Sequence, residues 1–252
     1  MPFVLYELQD HVAVITLNRP ERMNALGSEL SAELREAEAK FASDPDAWVG
    51  IYTGAGDRAF CAGRDLKEVA GGGGSTPTAA TFERPAVDLG KPMIAAINGA
   101  AYGGGLEKAL ACDIRICSEH ATMALAEVKV GLCPPSGSFV LPRLVGLSSA
   151  MWLLLSGAPV DAPEALRIGL VTRVVPQSEL LDTAMQMAQT IAGNAPLAIQ
   201  ATRKLATLGI EMPQEYARRM GASLIASVWS SEDAVEGAKA FAEKRPPVWR
   251  MR

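Results

Sequence analysis

The sequence predicts an α/β fold whose first half is rich in short strands and whose second half is helical. Three observations carry that prediction. Short apolar runs bounded by turn residues recur from Phe3 to about Leu125. A central stretch, Lys91 to Asp113, places an apolar run, a glycine-rich turn and a helical pattern in series. From Ser148 onward the apolar residues recur almost throughout at helical spacing.

In chain order, Phe3 to Leu8 and Val12 to Leu17 read as a hairpin around Gln9-Asp10-His11, closed by Asn18-Arg19-Pro20. Ser28 to Phe41 carries apolar and alanine positions on one face and charges on the other, with Ser43-Asp44-Pro45 as a stop: an amphipathic surface helix. Trp48 to Thr53 reads as a strand. It is followed by the loop Gly54-Ala55-Gly56-Asp57-Arg58 and by Ala59 to Lys67, where a second glycine turn meets a helix. The run from Gly71 to Ser75, continuing through Thr76-Pro77-Thr78, has the composition of a mobile loop. Because strands of one sheet flank it, a loop over a pocket fits better than a domain linker. Ile114 to Cys117 and Thr122 to Leu125 are short strands around Ser118-Glu119-His120. The turn cluster Gly131 to Ser138 then leads into a helix from Phe139. Helices follow at Ala150 to Leu155, Ala162 to Ile168, Glu179 to Ile191, Pro196 to Leu208, Gln214 to Val228 and Asp233 to Phe241.

Composition excludes several functional classes. The chain has 252 residues, 49% of them hydrophobic, enough for one large domain or a domain with an appendage. A formal net charge of -4, with no concentrated basic face, argues against a nucleic-acid partner. Cys61, Cys112, Cys117 and Cys133 show no CxxC spacing and only His11 and His120 are present, so neither a zinc site nor a disulfide framework is expected, and the thiols read as reduced and buried. The amino terminus lacks a basic segment leading into a long apolar run, and no stretch approaches the roughly 20 residues of a membrane span. A cytoplasmic chain with no membrane partner is the expectation.

The central stretch carries the chemistry. Met93 to Ile97 reads as a buried strand, Asn98-Gly99 as its turn, and Leu106 to Cys112 as a helix that begins at Gly103-Gly104-Gly105. Glycines admit a ligand close to the backbone, and the first turn of a helix offers N–H groups without intrahelical partners. Such a place favours negative charge. The phosphate loop needs Gly-Lys-Ser/Thr where this chain has Gly104-Gly105-Leu106, and the dinucleotide fingerprint would need its third glycine at Lys108. A developing oxyanion is then the better guest, with Glu107 one helical turn away. Taken alone, the stretch also reads as architecture, since an early-turn glutamate suits the helix dipole anyway.

KPMIAAINGAAYGGGLEKALACDIRI, preceded by AFCAGRDLKE and followed by SEHATMALAEVKVGLCP, resembles the crotonase superfamily of enoyl-CoA hydratases and isomerases. NRPERMNAL, PRLVG, APVDAPEALRIGLVTRVVP and SSEDAVEGAKAFAEKRPPVW extend the resemblance across nearly the whole chain. It implies a crotonase-like spiral of β-β-α repeats over residues 1–195, holding the coenzyme A and active sites. A C-terminal helical region, 196–252, would serve for trimerisation and as a lid, giving a homotrimer or a dimer of trimers. Acyl-CoA would be the substrate, coenzyme A being part of it, with no metal and no separate cofactor.

The resemblance also assigns roles. Thioester α-carbon chemistry moves charge onto the carbonyl oxygen, and losing one of two preset N–H donors there typically costs about 2.7 to 4 kcal/mol. The matching donors are the backbone amides of Arg64 and Gly104. Glu107 matches the glutamate that orients and activates water, and Glu127 the one that exchanges the α-proton. The loop from Ala62 through Asp65 and Leu66 to Lys67 matches the lining of adenine and pantetheine, with Lys244 and Arg245 as weaker phosphate candidates. Where many hydratases carry Gly-Gly-Thr-Gln after the proline of the turn, this chain reads Pro134-Pro135-Ser136-Gly137-Ser138-Phe139-Val140, and Leu125-Ala126 replaces a frequent Gln-Pro. The Ser-Gly turn is similar to that of carnitinyl-CoA dehydratases. An enoyl-CoA hydratase is therefore the expected enzyme. A Δ3-Δ2-enoyl-CoA isomerase, a carnitinyl-CoA dehydratase-like enzyme and a catalytically inactive binding protein are the alternatives.

Overall fold

The computed structural model describes residues 1–71 and 88–252. Apart from Gly71, the glycine-rich loop lies outside the described residues. Among the described residues, ten strands fall into two sheets. The chain opens with β1 (Val4–Gln9) and β2 (Val12–Leu17), an antiparallel hairpin in which Val4 faces Leu17. Asp10 and His11 adopt positive φ (46° and 67°) to make its tight turn. Then come helix α1 (Ser28–Ser43), β3 (Val49–Gly54), β4 (Ala59–Cys61) and the short helix α2 (Leu66–Ala70). Next are β5 (Met93–Ile97), β6 (Ala100–Tyr102), α3 (Gly104–Leu110), β7 (Ile114–Ser118) and β8 (Thr122–Ala124). Helices α4 (Gly137–Val145) and α5 (Leu147–Ser156) are separated by Gly146, whose φ of 77° breaks the helical path.

The first sheet runs β1-β2-β3-β5-β7-β10, parallel from β2 onward, and the second runs β4-β6-β8-β9. Here β9 is Val160–Asp161 and β10 is Arg173–Val175, with α6 (Ala162–Arg167) between them. Successive strands thus alternate sheets: β3 then β4, β5 then β6, β7 then β8. This alternation is the spiral of β-β-α turns that the resemblance implied. The short second-sheet strands β4, β6 and β9, and the three-residue β10, escaped sequence reading because two or three residues show no period.

The chain closes with α7 (Leu180–Ala192), α8 (Pro196–Glu211), α9 (Gln214–Trp229) and α10 (Glu232–Glu243). Helix α7 buries Leu180, Ala184, Ala188 and Ala192, one stripe at helical spacing, against Val12, Val49, Ile51, Ile94 and Ile116 of the first sheet. The other face of that sheet packs with Phe41 and Leu34 of α1, Phe60, and Leu106 and Leu110 of α3. Strands covered on both faces read as continuous apolar runs, which is why β3 and β5 were legible. No helix among the described residues is long and apolar enough to cross a membrane.

Two buried asparagines stiffen the turns that precede the site. Asn24 accepts from the Arg19 N–H (2.9 Å) and donates to the carbonyls of Ala55 (3.1 Å) and Ala59 (2.8 Å). Asn98 accepts from the Gly54 N–H (3.0 Å) and donates to the carbonyl of Gly56 (2.7 Å). Each satisfies backbone groups that a loop would otherwise leave unpaired inside the protein. Three of the expected buried thiols, Cys61, Cys112 and Cys117, are buried; Cys133, in a turn, is exposed. Burial pushes the Cys61 thiol up to about 11 and those of Cys112 and Cys117 up to about 12.

Candidate active site

The site is assembled where β4 and β6 of the second sheet end. Residues 62–65 leave β4 beside the NRPERMNAL segment, which holds them by three backbone bonds: Ala62 N–H to Met23 O, Leu26 N–H to Gly63 O and Asp65 N–H to Leu26 O. Gly63 has φ +87°, and a Cβ there would lie 2.6 Å from the Tyr102 carbonyl oxygen and 3.2 Å from the Gly104 nitrogen. The backbone after β4 therefore lies directly against the backbone after β6. Gly105 makes an equally close approach, since its Cβ would lie 2.1 Å from Cys61 O. Glycine is required at both positions because peptide packs on peptide. The amides of Arg64 and Gly104 flank this contact, and neither donates a backbone hydrogen bond among the described residues.

Glu107 stands in the first turn of α3. Its Oε1 accepts two backbone N–H groups, from Ser136 and Gly137, each at 2.8 Å, at the start of α4. These donors are helix-terminal amides with no intrahelical acceptor, so the carboxylate caps α4 as α4 orients the carboxylate. Glu127 opens a 3-10 turn, Glu127–Val130, after β8. A Cβ on Gly103, whose φ is 52° and ψ −127°, would come within 3.1 Å of Glu127 Oε1. Glu127 Oε2 is buried with no hydrogen-bond partner among the described residues. Burial, and then the nearby charge of Glu107, raise the Glu127 carboxyl above its ordinary value, against the opposing effect of its own backbone N–H. A carboxyl held toward its neutral form and an N–H-anchored carboxylate thus flank one glycine turn, an arrangement suited to moving a proton at each of two adjacent atoms.

The structure places the remaining sequence-nominated residues more variously. Arg64 is exposed on the loop, Leu66 and Lys67 are exposed in the first turn of α2, and Ala62 is half-buried. Asp65 is buried and turned inward, its Oδ1 accepting from the Lys67 and Glu68 N–H groups and its Oδ2 paired with Arg19 at 3.0 Å. Burial pulls the Asp65 carboxyl up, but the Glu68 N–H and the Arg19 charge outweigh it and leave the net shift downward. Its geometry fixes the start of α2. Arg245 pairs with Glu236 at 2.6 Å and with Glu243 at 2.6 Å, so its guanidinium is already engaged. Lys244 takes the left-handed cap of α10, with φ 54°.

Sequence reading missed the two amides at 136 and 137 that hold Glu107. The Pro134-Pro135-Ser136-Gly137 cluster was visible as a turn before a helix, which is the signal for free N–H groups, but nothing in sequence pairs that turn with a residue 29 places earlier. It also missed Met23 and Leu26 as the clamp of the 62–65 loop.

Comparison with known proteins places this site among relatives. An enoyl-CoA hydratase/isomerase family model matches residues 7–252. The chain is 46% identical over 260 residues to an (E)-benzylidenesuccinyl-CoA hydratase of Thauera aromatica, covering 99% of both chains. It is 43% identical to a carnitinyl-CoA dehydratase of Citrobacter koseri, covering 94% of each. Among solved structures, the enoyl-CoA hydratase of Bacillus anthracis superposes with a TM-score of 0.92 at 35% identity, over 99% of this chain and 100% of that one. An enoyl-CoA hydratase of Mycobacterium tuberculosis superposes with a TM-score of 0.92 at 36% identity over the full length of both. With the β-β-α spiral and matches of this extent, the chain belongs to the enoyl-CoA hydratase/isomerase family, within the crotonase superfamily.

Proposed function

We propose that this protein adds water reversibly across the Cα=Cβ bond of an enoyl-CoA thioester. The thioester oxygen accepts from the Arg64 and Gly104 amides. Glu107, with Oε1 occupied by two N–H donors, presents Oε2 to a water, removes its proton and directs the oxygen to Cβ. As the C–O bond forms, the alkene electron pair passes through Cα onto the thioester oxygen. The enolate collapses by taking the Glu127 proton at Cα, and solvent exchange returns both carboxyls to their starting states. Dehydration is the same path reversed, with Glu127 as base. The observation that carries the reading is the meeting of Glu107 and Glu127 over the Gly103–Gly104 turn, with the Glu127 carboxyl raised partly by the charge of Glu107.

The names of the relatives, a hydratase and a dehydratase of substituted acyl-CoAs, support a substituted enoyl group over a plain short chain. Coenzyme A lies along Ala62 and along Leu66 and Lys67 at the start of α2, which Asp65 keeps in shape. Residues 1–195 form the catalytic core and 196–252 the assembling and lid region of a homotrimer or dimer of trimers. Exposed Trp229 (81%) and Phe241 (88%) on the C-terminal helices support a covered face there. Purified protein should bleach the conjugated enoyl-thioester absorbance of crotonyl-CoA or a substituted homologue. A panel of enoyl-CoA thioesters left unchanged would overturn the assignment, and a monomeric mass by light scattering at micromolar concentration would overturn the assembly.

A further inference from the structure

The Gly63 C=O and the Arg64 N–H belong to one planar trans peptide and therefore point in opposite directions. The Gly63 oxygen accepts from the Leu26 N–H at 2.7 Å, so the Arg64 N–H faces away from residues 23–27. The Asp65 N–H donates to Leu26 O at 3.1 Å. The peptides on both sides of the Arg64 Cα are thus held by one residue, and the aim of the Arg64 amide depends on how residues 23–27 sit against residues 63–65. A side chain fixes that relation. Arg19 is tied to the turn leading into residues 23–27, its N–H donating to Asn24 Oδ1 and its carbonyl accepting from the Asn24 N–H, both at 2.9 Å. Its guanidinium then crosses to Asp65 Oδ2 at 3.0 Å. Neighbouring carboxylates compete weakly for it: Glu21 stands 3.9 Å away and exposed, and Glu68 accepts from the Ser28 N–H.

We infer that Arg19 is a positioning residue for hydration, acting through Asp65 to hold the Arg64 amide on the thioester oxygen and to balance a carboxylate charge beside it. Asp65 is buried, and in a medium of low dielectric an unpaired anion next to the donor opposes the negative charge that the donor attracts. That charge develops only as water adds, whereas the bound enoyl thioester is still neutral at its carbonyl. Loss of the Arg19 contact should therefore fall on kcat and leave KM nearly unchanged. A residue that merely shaped the coenzyme A loop would show the opposite split.

The inference rests on the thioester reading, and the test separates the two. Hydration of crotonyl-CoA, or of the enoyl-CoA turned over fastest, would be measured for the wild type, Arg19→Gln, Arg19→Lys, Asp65→Asn and the double variant Arg19→Gln with Asp65→Asn. Circular dichroism checks each fold, and calorimetry with butanoyl-CoA, which has no double bond to hydrate, checks ground-state binding. Arg19→Gln should lower kcat by about tenfold to a hundredfold, with KM and butanoyl-CoA affinity within about threefold of wild type. Arg19→Lys keeps the charge and can make the single bond to Oδ2, so it should stay within about threefold. Asp65→Asn, which keeps an acceptor for α2, should lose about tenfold, and the double variant should be no more than about threefold slower than the slower single one, because the two side chains act as one contact. Arg19→Gln or Asp65→Asn at wild-type kcat, losses that multiply in the double variant, a loss confined to KM, or an Arg19→Lys as slow as Arg19→Gln would each overturn the inference while leaving the thioester site standing. Should Arg19→Gln not fold, Arg19→Lys and Asp65→Asn decide by the same limits. If the wild type hydrates no enoyl thioester, the inference and the underlying reading fail together.

Discussion

Gly63→Ala tests the geometry on which the proposed chemistry stands. A methyl at this position would begin 2.6 Å from the Tyr102 oxygen, and reaching an ordinary contact of 3.4 Å requires about 0.8 Å of separation between the two backbone segments. The same residue must hold φ +87°, which costs an L-residue about 1–2 kcal/mol, and overpacking adds about 1–3 kcal/mol. Destabilisation of about 2–5 kcal/mol follows, a melting shift of roughly 4–20 °C for a chain of this size. The segments forced apart are those carrying the Arg64 and Gly104 amides. A displacement near 1 Å can cost about 10²-fold, and full loss of one oxyanion donor about 10²–10³-fold, so kcat should fall within that range in molecules that remain folded. The assay pairs thermal melting by circular dichroism with kcat on the best enoyl-CoA, measured well below the variant's midpoint. A variant that melts lower yet keeps kcat within about twofold of wild type would refute the claim that these two amides act on the substrate.

Three further outcomes are expected. Glu107→Gln and Glu127→Gln should each lower kcat by about 10²–10⁴ with little change in melting temperature, and the double variant should be scarcely worse than either single one, measured on the same thioester. Because the native state binds the Glu127 proton more tightly than the unfolded chain does, hydration should slow as pH rises through its raised pKa, above the ordinary 4.5, while dehydration of the β-hydroxy product speeds up; the limb should vanish in Glu127→Gln. By the same sign, the group's contribution to stability is complete below the ordinary carboxyl value and fades as pH climbs through the raised one. Asn24→Gly keeps the left-handed backbone (φ 53°) but removes three hydrogen bonds, and should cost about 3 kcal/mol by denaturant titration.

Much of the fold was readable because its central strands are covered on both faces, so Met93 to Ile97 and Trp48 to Thr53 stand out as apolar runs, the first observed unchanged and the second shifted by one residue. The amphipathic helices were readable for the complementary reason: α1 starts at Ser28 as expected and runs two residues longer. Helix α3 starts at Gly104, inside the glycine turn where its start was expected, and ends at Leu110, two residues before the expected Cys112. The sequence nominated Glu107 and Glu127 by motif, and the fold brings both to one turn. What motif reading could not supply were long-range partners: Ser136 and Gly137 on Glu107, Arg19 on Asp65, Glu236 on Arg245. Each joins segments whose meeting depends on the whole spiral.

The tethering of Asn98 has a consequence for how the protein ages. Asn-Gly pairs deamidate when the glycine nitrogen swings onto the side-chain carbonyl carbon, a cyclisation that needs a loose turn and a free amide group. Here Asn98 is 3% exposed, its side-chain oxygen is held by Gly54 and its nitrogen by Gly56, and Gly99 is wedged against the Arg58 peptide. Isoaspartate at position 98 after long storage would thus date an excursion of the molecule out of its native state.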